Sequence, residues 1–347
     1  MTTVAMSAPA WSAASERELV AEVVSWFGLG TVTGVRELPE GLMNRNWQVR
    51  TPAGVVAVKQ VQDIGADAAR RQHEATRALA GRGLPVLAPL AGPGGVTLLE
   101  HPAGVFAVLP WVAATHRGGL DLSYAECGML GEVLGRLHAG LASVMPAVPG
   151  EMVVPVTEPA AARERIGRYL GFIEAKVSLD EFDRHARREL SQRRELLADW
   201  AHLRPADGMR VGPAGWTHGD FHDLNVLWDG GGVSAVLDWH RLGVRPVAAE
   251  VVRSGTLLFG YGDDRGLDLG RVAAFTQGYR AVVPLTDVQL ADAVHRLWWE
   301  RMCDFWQLKW HYERGDASCD HLFAPASALL AWWSGHRSEV SGAFTSS

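Results

Sequence analysis

The sequence predicts an α+β fold of two lobes, in which a small antiparallel sheet precedes a larger, mainly helical part. The chain has 347 residues, more than the roughly 100–200 of a typical domain. Short β-type runs with turn signals are concentrated before residue 111, and long stretches with helical periodicity follow. Hydrophobic residues make up 48% and charged residues 21%, which excludes disorder or a coiled coil as a description of the whole chain.

The first lobe, residues 1–111, is expected to combine short strands with two helices. Ser15–Glu18 has the pattern of a capping box before an apolar stripe, and Gly28 or Gly30 ends that first helix. Composition predicts a second helix over Ala66–Ala80. The predicted strands are, in chain order, Thr31–Leu38, Asn46–Arg50, Val55–Gln60, Val96–Leu99 and Val105–Leu109.

The second lobe, residues 112–347, is expected to be mainly helical. Leu122–Leu141 carries leucine and valine on one face of a long helix. Pro146–Pro159 is a proline-punctuated connector, and the dense alternating charges of Ala161–Trp200 are typical of a solvated helical face. Two short strands are predicted around Gly230–Gly232, and helices follow to the end.

Charge and cysteine content exclude several classes of protein. The net charge is -6 and the pI about 6.1, which argues against a nucleic-acid binder. Cys127, Cys303 and Cys319 form no CxxC pair, so neither a disulfide framework nor a zinc module is predicted. No targeting segment and no apolar stretch near the roughly 20 residues of a membrane helix is visible. We therefore expect a cytoplasmic protein with no membrane partner.

The densest group of polar residues lies beside the two strands predicted in the second lobe. Asp220 and Asn225 belong to the segment Trp216–Leu227, and Asp238 follows the second strand. Carboxylate and amide oxygens suit a hard cation such as Mg²⁺, which takes substrate phosphates as further ligands. This segment is the predicted site of chemistry.

A zinc site is the alternative for the histidines of this segment. His218 and His222 are four residues apart, a spacing that puts both rings on one face only in a helix. Gly219 indicates a loop instead, and no nearby cysteine supplies a third ligand. Zinc is therefore not favoured, and His222 is assigned either to packing in the loop or to contact with substrate.

The order of these residues resembles the catalytic hairpin of the aminoglycoside phosphotransferase family, whose members are small-molecule kinases with a bilobal protein-kinase-like fold. The pattern is H-x-D-x4-N from His218 to Asn225, followed by a β turn and by Asp238 after an apolar strand. Val56–Lys59 resembles the kinase strand that carries the phosphate-binding lysine, and lysine occurs only three times in this chain. The resemblance extends over residues 35–260.

The resemblance implies a catalytic or metal-binding role for four residues of the second lobe. Asp220 would accept or orient the proton of the substrate hydroxyl, and His218 would brace the catalytic loop. Asn225 and Asp238 would hold the Mg²⁺ ions that bridge the nucleotide phosphates. Such a site mainly positions the reacting groups and neutralises charge, because the transferred phosphoryl group passes through a loose transition state.

The resemblance also implies a site for ATP or GTP in the first lobe. Lys59 would contact the α- and β-phosphates, and Glu74 would pair with Lys59 and fix its position. The segment from Leu109 to Val112 resembles the hinge that binds adenine.

The loop expected to cover the nucleotide, Glu40–Asn46, has one glycine where protein kinases have several. Asn44 or Asn46 is therefore the predicted phosphate contact in this loop. The Gly-x4-Gly-Lys-Ser/Thr pattern of P-loop enzymes and the Gly-x-Ser-x-Gly pattern of α/β-hydrolases are both missing from the sequence.

A small molecule is the expected acceptor, because only a short loop separates Asp238 from the helix near Glu250, where a protein kinase needs a long activation segment. Four tryptophans fall in one predicted helical stretch with Asp304, and they form either a packed core or an aromatic, acidic pocket for a cationic ligand. The predicted substrate-binding residues are His222, Asp304, Trp306 and Trp310.

The predicted activity is Mg²⁺-dependent transfer of a nucleotide γ-phosphate to a hydroxyl of a small molecule. The resemblance favours an antibiotic, aminoglycoside-like or nucleoside-type, in resistance or biosynthesis. A metabolite kinase for a sugar, amino sugar, choline or homoserine is the second hypothesis, and a catalytically inactive binding protein is the third. The choice between ATP and GTP and the oligomeric state stay open.

Overall fold

The chain forms two compact units that divide between Ala113 and Ala114. The structure, a computed structural model, describes residues 13–38 and 44–346. Within these residues the first unit contains a five-stranded antiparallel sheet and two α-helices, and the second unit is mainly helical. The predicted α+β class is confirmed.

The elements are numbered here in chain order. The helices are α1 Ala13–Trp26, α2 Ala66–Ala80, α3 Tyr124–Val144, α4 Pro159–Glu174, α5 Glu181–Trp200, α6 Val247–Leu258, α7 Leu269–Arg280, α8 Asp287–Cys303, α9 Trp306–Leu308, α10 Phe323–Gly335 and α11 Arg337–Thr345. The strands are β1 Gly34–Leu38, β2 Arg45–Thr51, β3 Gly54–Val61, β4 Leu99–His101, β5 Gly104–Pro110, β6 Met152–Val153, β7 Arg210–Val211, β8 Ala214–Thr217, β9 Val226–Asp229, β10 Gly232–Val236 and β11 Gly243–Pro246.

The sheet of the first unit has the order β1-β2-β3-β5-β4, with α1 and α2 on opposite faces. Side chains alternate along β5, so Phe106 and Val108 join the core beneath α1 while Ala107 packs on the side of α2. The same alternation along β3 puts Val58 in the α1 core and Lys59 on the α2 face. Register and alternation thus determine the side of the sheet on which Lys59 lies.

The observed start of α1 differs from the predicted one. The helix begins at Ala13, so Ser15 lies within its first turn and does not cap it. Glu16 instead accepts a hydrogen bond from the indole Nε1 of Trp47 at 2.9 Å and pairs with Arg45, and both of these residues belong to β2. A buried indole N–H needs a partner, and Glu16 supplies it to Trp47.

Among the remaining predictions for the first unit, the main difference from the structure concerns one strand. Helix α2 has the predicted bounds, and β2 and β3 form the predicted hairpin. The strand expected over Val96–Leu99 is displaced to β4, where it pairs with β5 through a tight turn. A prediction from composition does not determine which residues of an extended run find a hydrogen-bonding neighbour.

Close contact between α3 and α7 organises the second unit. Ser123 and Glu126 form a reciprocal capping box at the start of α3. A Cβ atom at Gly131 would lie 1.9 Å from the carbonyl oxygen of Phe275, and one at Gly278 would lie 1.9 Å from that of Gly128. Glycine at these points lets the two backbones touch.

The charged stretch predicted over Ala161–Trp200 is two helices, because α4 ends at Glu174 and Asp180 caps α5. Most arginines of α5 are exposed, as a solvated face requires. Arg193 is different: it is buried and donates to the carbonyl oxygen of Arg301 at 2.7 Å, at the end of α8. Buried guanidinium groups of this kind satisfy helix ends.

A hairpin and a second two-stranded sheet hold the segment predicted to carry the chemistry. Strands β9 and β10 form the hairpin expected around Gly230–Gly232. Strand β8 pairs with β11 from Thr217 opposite Gly243 to Ala214 opposite Pro246, a pairing that the sequence did not predict because its partners are far apart along the chain. None of the described helices is both long and apolar enough to span a membrane.

Candidate active site

The loop from His218 to Asn225 leaves β8 through a turn that only glycine fits. Gly219 has a φ of 86°, and a Cβ atom there would lie 2.5 Å from the carbonyl oxygen of Arg241. Its backbone N–H donates to the carboxylate of Glu250 on α6. The loop is thereby anchored at its first turn.

Glu250 belongs to a buried polar chain that starts from α3. Its Oε2 atom accepts from Nε2 of His138 at 2.7 Å, and Nδ1 of His138 lies 2.8 Å from the hydroxyl of Tyr279. Burial raises the pKa of Glu250, but the hydrogen bond and charge of His138 outweigh that effect, so the pKa lies below its usual value. An ionised Glu250 thus ties the loop to α3 and α7.

His218 joins the loop to the segment before Asp238. The ring is fully buried; its Nε2 donates to the carbonyl oxygen of Leu237 at 2.8 Å, and its Nδ1 accepts from the backbone N–H of Asp220 at 3.2 Å. Burial lowers the pKa of His218, which favours the neutral ring with one donor and one acceptor nitrogen.

Asp220 is an ionised carboxylate between two basic side chains. Its Oδ1 accepts from Nη2 of Arg253 at 2.9 Å, and its Oδ2 lies 3.6 Å from Nε2 of His222. Burial raises the pKa of Asp220, but His222 and Arg253 lower it more, to well below the usual range. An ionised carboxylate can accept the hydrogen bond of an alcohol.

His222 has two competing partners. Burial lowers its pKa, but Asp220 and Asp223 outweigh this and raise it to about 9. Its Nε2 also lies 3.1 Å from the Nδ2 group of Asn225. One nitrogen cannot accept from Asn225 and donate to Asp220 at once, so the neutral and protonated rings bond differently.

Asn225 and Asp238 lie at the two ends of the β9–β10 hairpin. Nδ2 of Asn225 donates to the carbonyl oxygen of Asp220 at 2.8 Å, which leaves Oδ1 as a ligand atom. The backbone N–H of Leu237 donates to the carbonyl of Asn225 at 2.8 Å, which keeps Asp238 close. Both side chains offer oxygen, the ligand that Mg²⁺ prefers.

The backbone of Asp238 is strained. Its φ is 55°, the one positive φ at a non-glycine residue among those described. Such a conformation costs of order 1–3 kcal/mol and is concentrated at functional sites. Oδ1 of Asp238 also lies 3.1 Å from Nδ1 of His240.

In the first unit, Asn46 and Lys59 face each other in the register of β2 and β3 and therefore share the α2 face of the sheet. Leu109, opposite Ala57, lies on the same face, and Val112 is half-buried just beyond β5. These positions suit contact with one ligand.

Asn44 gives less direct support to the phosphate contact that was predicted for the loop covering the nucleotide. Asn44 is buried, and its Oδ1 accepts from the backbone N–H of Gln62 at 2.9 Å, so this oxygen is used within the unit. Residues 39–43 of the predicted loop lie outside the described residues.

Glu74 does not make the expected pair with Lys59. It is exposed on α2 and forms no ion pair with any described residue. Its neighbour His73 faces inward: Nδ1 lies 2.8 Å from the hydroxyl of Thr97, and burial, together with the charge of Lys59, lowers the pKa of His73 to about 4. In this structure the helix thus turns His73 toward Lys59, and the role of Glu74 stays a prediction.

The tryptophans predicted for the acceptor site are divided by a break in the helix. Helix α8 ends at Cys303, so the single stretch expected from Trp298 to Trp310 is wrong. The side chains before the break are buried in the core, whereas Trp306 is 37% exposed and makes an edge-to-face contact with Trp310 at 6.2 Å. Oδ1 of Asp304 accepts from the N–H of Trp306 at 3.2 Å, and burial raises the pKa of Asp304.

Arg253 was not predicted from the sequence, although a signal existed. It lies one helical turn after Glu250, so the two side chains share a face of α6. A helix that anchors the loop through Glu250 must also present Arg253 to it.

Comparison with known proteins identifies the family. Residues 34–285 match the sequence profile described as the phosphotransferase enzyme family, APH. The chain belongs to this family. It is therefore a small-molecule kinase, as the hairpin from His218 to Asp238 predicted.

Individual relatives of this phosphotransferase differ in their acceptors. A homoserine kinase of Gluconobacter oxydans (strain 621H) is 27% identical over 282 residues, which cover 79% of this chain and 82% of that relative. A homoserine kinase of Methylobacillus glycogenes is 26% identical over 293 residues, with 80% and 82% covered. The crystal structure of a spectinomycin phosphotransferase with ADP and spectinomycin matches with a TM-score of 0.65 at 14% identity, covering 92% and 98% of the chains. This last likeness establishes the kinase-like fold.

Proposed function

We propose that this phosphotransferase moves the γ-phosphoryl group of a Mg²⁺-bound nucleotide to a hydroxyl of a small metabolite, with a hydroxy amino acid such as homoserine as acceptor. The ionised carboxylate of Asp220 carries the proposal, because Arg253 and His222 hold it in a loop that also contains Asn225. It is the one carboxylate of this loop placed to receive a hydroxyl proton beside a candidate metal ligand.

The proposed reaction breaks one P–O bond and forms another. The acceptor oxygen attacks the γ-phosphorus, the bond to the β–γ bridging oxygen breaks, and the nucleoside diphosphate leaves. Asp220 accepts the hydrogen bond of the acceptor hydroxyl and takes up its proton as the new bond forms. Lys59 contacts the nucleotide phosphates, and Asn46, Leu109 and Val112 line its site.

Mg²⁺, when bound, neutralises phosphate charge, and Asn225 and Asp238 are the residues that would hold it. Asn225 retains a free amide oxygen after its contacts with Asp220 and His222. His218 keeps Leu237, and with it Asp238, next to the loop. The spectinomycin phosphotransferase was solved with ADP, which supports a purine nucleotide as donor.

The nature of the acceptor rests on the curated relatives. Both homoserine kinases match four-fifths of this chain, whereas the likeness to the spectinomycin enzyme carries the fold alone. The metabolite hypothesis therefore takes precedence over the antibiotic hypothesis.

A phosphotransfer panel tests this function. The protein is incubated with Mg²⁺ and ATP or GTP against L-homoserine, choline, amino sugars, aminoglycosides, spectinomycin and nucleoside antibiotics, and products are read by mass spectrometry. We expect a gain of one phosphoryl group on L-homoserine only. A gain on an antibiotic alone would establish the resistance hypothesis, and hydrolysis of the nucleotide without transfer to any compound would refute the proposal.

Asp238→Asn is expected to weaken the dependence on Mg²⁺. Asparagine tolerates the left-handed backbone at this position, so the fold is kept while a charged ligand is lost. We expect the Mg²⁺ concentration for half-maximal activity to rise at least about tenfold, the lower limit for loss of a supporting group at a metal site. Asp229→Asn, at the exposed end of β9, is the matched control. Equal Mg²⁺ requirements in the two variants would remove Asp238 from the metal site.

A further inference from the structure

In the second unit, one hydroxyl group connects the side chain of one arginine to the backbone of another. Arg253 lies on α6 and Arg301 near the end of α8. The hydroxyl of Thr256 donates to the backbone carbonyl of Arg253 at 2.8 Å and accepts from Nη2 of Arg301 at 2.8 Å. Because both bonding capacities of the hydroxyl are used, the guanidinium of Arg301 is held in one orientation next to the turn that carries Arg253.

Around Arg253 and Arg301, positive charge exceeds the negative charge that is paired with it. Arg253 pairs with Asp220, but no carboxylate of the described residues lies within 4.0 Å of the guanidinium of Arg301. The Nε atoms of both arginines are buried and lack a hydrogen-bond partner. Burial, helped by the charge of Arg253, lowers the pKa of Arg301 to about 10, so it remains a cation at neutral pH. Arg301 is half-buried, and the carboxylates of Glu300 and Asp304 favour its cationic form without forming an ion pair with it.

Three other arginines of this unit, the buried Arg193 and the half-buried Arg245 and Arg296, have partners that account for their positions. Arg193 donates to backbone carbonyls at the end of α8, and Arg245 donates to the hydroxyl of Thr217 and to the carbonyl of Arg241. Arg296, also on α8, pairs with Asp292 through Nε at 2.7 Å, although its buried Nη1 has no partner among the described residues. Apart from its bond to Thr256, Arg301 has a further Nη1 group for which the described residues provide no partner.

We propose that Arg301, together with Arg253, binds the carboxylate of the acceptor. The inference rests on the proposed function, because it places this anion next to Asp220, where the hydroxyl of the same molecule must lie. Paired guanidinium groups suit a carboxylate, which accepts from several N–H donors at once. A small hydroxy amino acid has its carboxylate and its hydroxyl at the two ends of a short carbon chain, so Arg301 selects acceptors with a carboxylate.

A phosphate group has similar chemistry, so the nucleotide is the other source of an anion for this pair. The two sources are separated by measuring which ligand loses affinity when Arg301 is changed. Equilibrium binding is measured by calorimetry for L-homoserine, for 3-amino-1-propanol and for the Mg²⁺-nucleotide. 3-Amino-1-propanol has the same chain, hydroxyl and amine as homoserine without its carboxylate.

Arg301→Gln is expected to weaken L-homoserine binding by at least about 30-fold, which corresponds to the lower end of the cost of losing one partner of a charged pair. Binding of 3-amino-1-propanol and of the nucleotide should stay within about twofold. Arg301→Lys, which keeps the charge without the planar fork, should show a smaller loss, and Arg296→Gln on the same helix is the matched control for folding.

Three results would overturn the inference. The first is that the wild-type protein binds 3-amino-1-propanol as tightly as L-homoserine, and the second is that it does not bind L-homoserine. The third is that Arg301→Gln weakens binding of the nucleotide instead, which would assign the two arginines to a phosphate group. Failure of the proposed function has a different signature, since L-homoserine would then bind in an Arg301-dependent manner without receiving a phosphoryl group.

Discussion

Asp220→Asn is expected to lower kcat by about 10²–10⁴-fold, the contribution of a positioned general base. Asparagine retains an oxygen for Nη2 of Arg253, which is 2.9 Å from Oδ1 in the native protein, so the loop should keep its shape. It cannot take up a proton, and the alcohol therefore loses its acceptor. Steady-state phosphotransfer at saturating nucleotide measures the loss, and calorimetry measures nucleotide affinity, which should be unchanged.

Asp223→Asn is the matched control for this prediction. It lies in the same loop, with Oδ1 on the N–H of Leu224 and 3.7 Å from Nδ1 of His222, and it forms no ion pair with Arg253. We expect less than a tenfold change in kcat. A folded Asp220→Asn protein that turns over at a similar rate, or that no longer binds nucleotide, would contradict the role assigned to Asp220.

Gly131→Ala is expected to destabilise the second unit by about 3 kcal/mol, the upper part of the range for overpacking. Within a helix, alanine is usually better than glycine by up to about 1 kcal/mol, so propensity alone predicts the opposite sign. The new Cβ atom would lie 1.9 Å from the carbonyl oxygen of Phe275, and backbone cannot rotate away as a side chain can. Helices α3 and α7 would have to separate.

Gly167→Ala separates packing from propensity. Gly167 lies inside α4. Apart from its chain neighbours and the nearby backbone of its own helix, no heavy atom lies within 4 Å of the position that a Cβ atom would take there. This variant should be stabilised by about 0.5–1 kcal/mol. Urea unfolding followed by circular dichroism compares the two proteins. Equal midpoints would mean that α3 and α7 adjust without cost.

The second unit illustrates which parts of a site local sequence can predict. Asp220, Asn225 and Asp238 lie within one loop and one hairpin. Their proximity therefore follows from short-range turns, which glycines and apolar strands indicate in the sequence. The order of these residues was enough to predict the kinase family, which the profile match confirms. The positions of the predicted substrate residues depend on distant packing, and the helix expected to carry Trp306 is broken at Asp304.

Helix α2 shows the same limit on a smaller scale. Its bounds were predicted residue for residue, yet its rotation about its own axis was not. The buried residues Ala69 and Thr76 stand four positions before and three positions after His73, so the three share one face of the helix, and Glu74 lies off that face. Packing against Leu98 and Ala107 decides the rotation.

The sequence was sufficient to predict the α+β class and the family, because these depend on short-range patterns of turns, apolar strands and spacing. The assignment of chemistry to Asp220, Asn225 and Asp238 rests on the same patterns and stays a prediction. Tertiary packing was needed to bring the loop to Glu250 and α3, to pair Arg253 with Asp220, and to join Arg301 to Thr256 on the helix of Arg253. The hydrogen bonds that make these connections join residues 31, 33, 45 and, between Glu250 and His138 of α3, 112 positions apart in the chain. Pairings over such separations are set by the packing of whole helices, which no local pattern encodes.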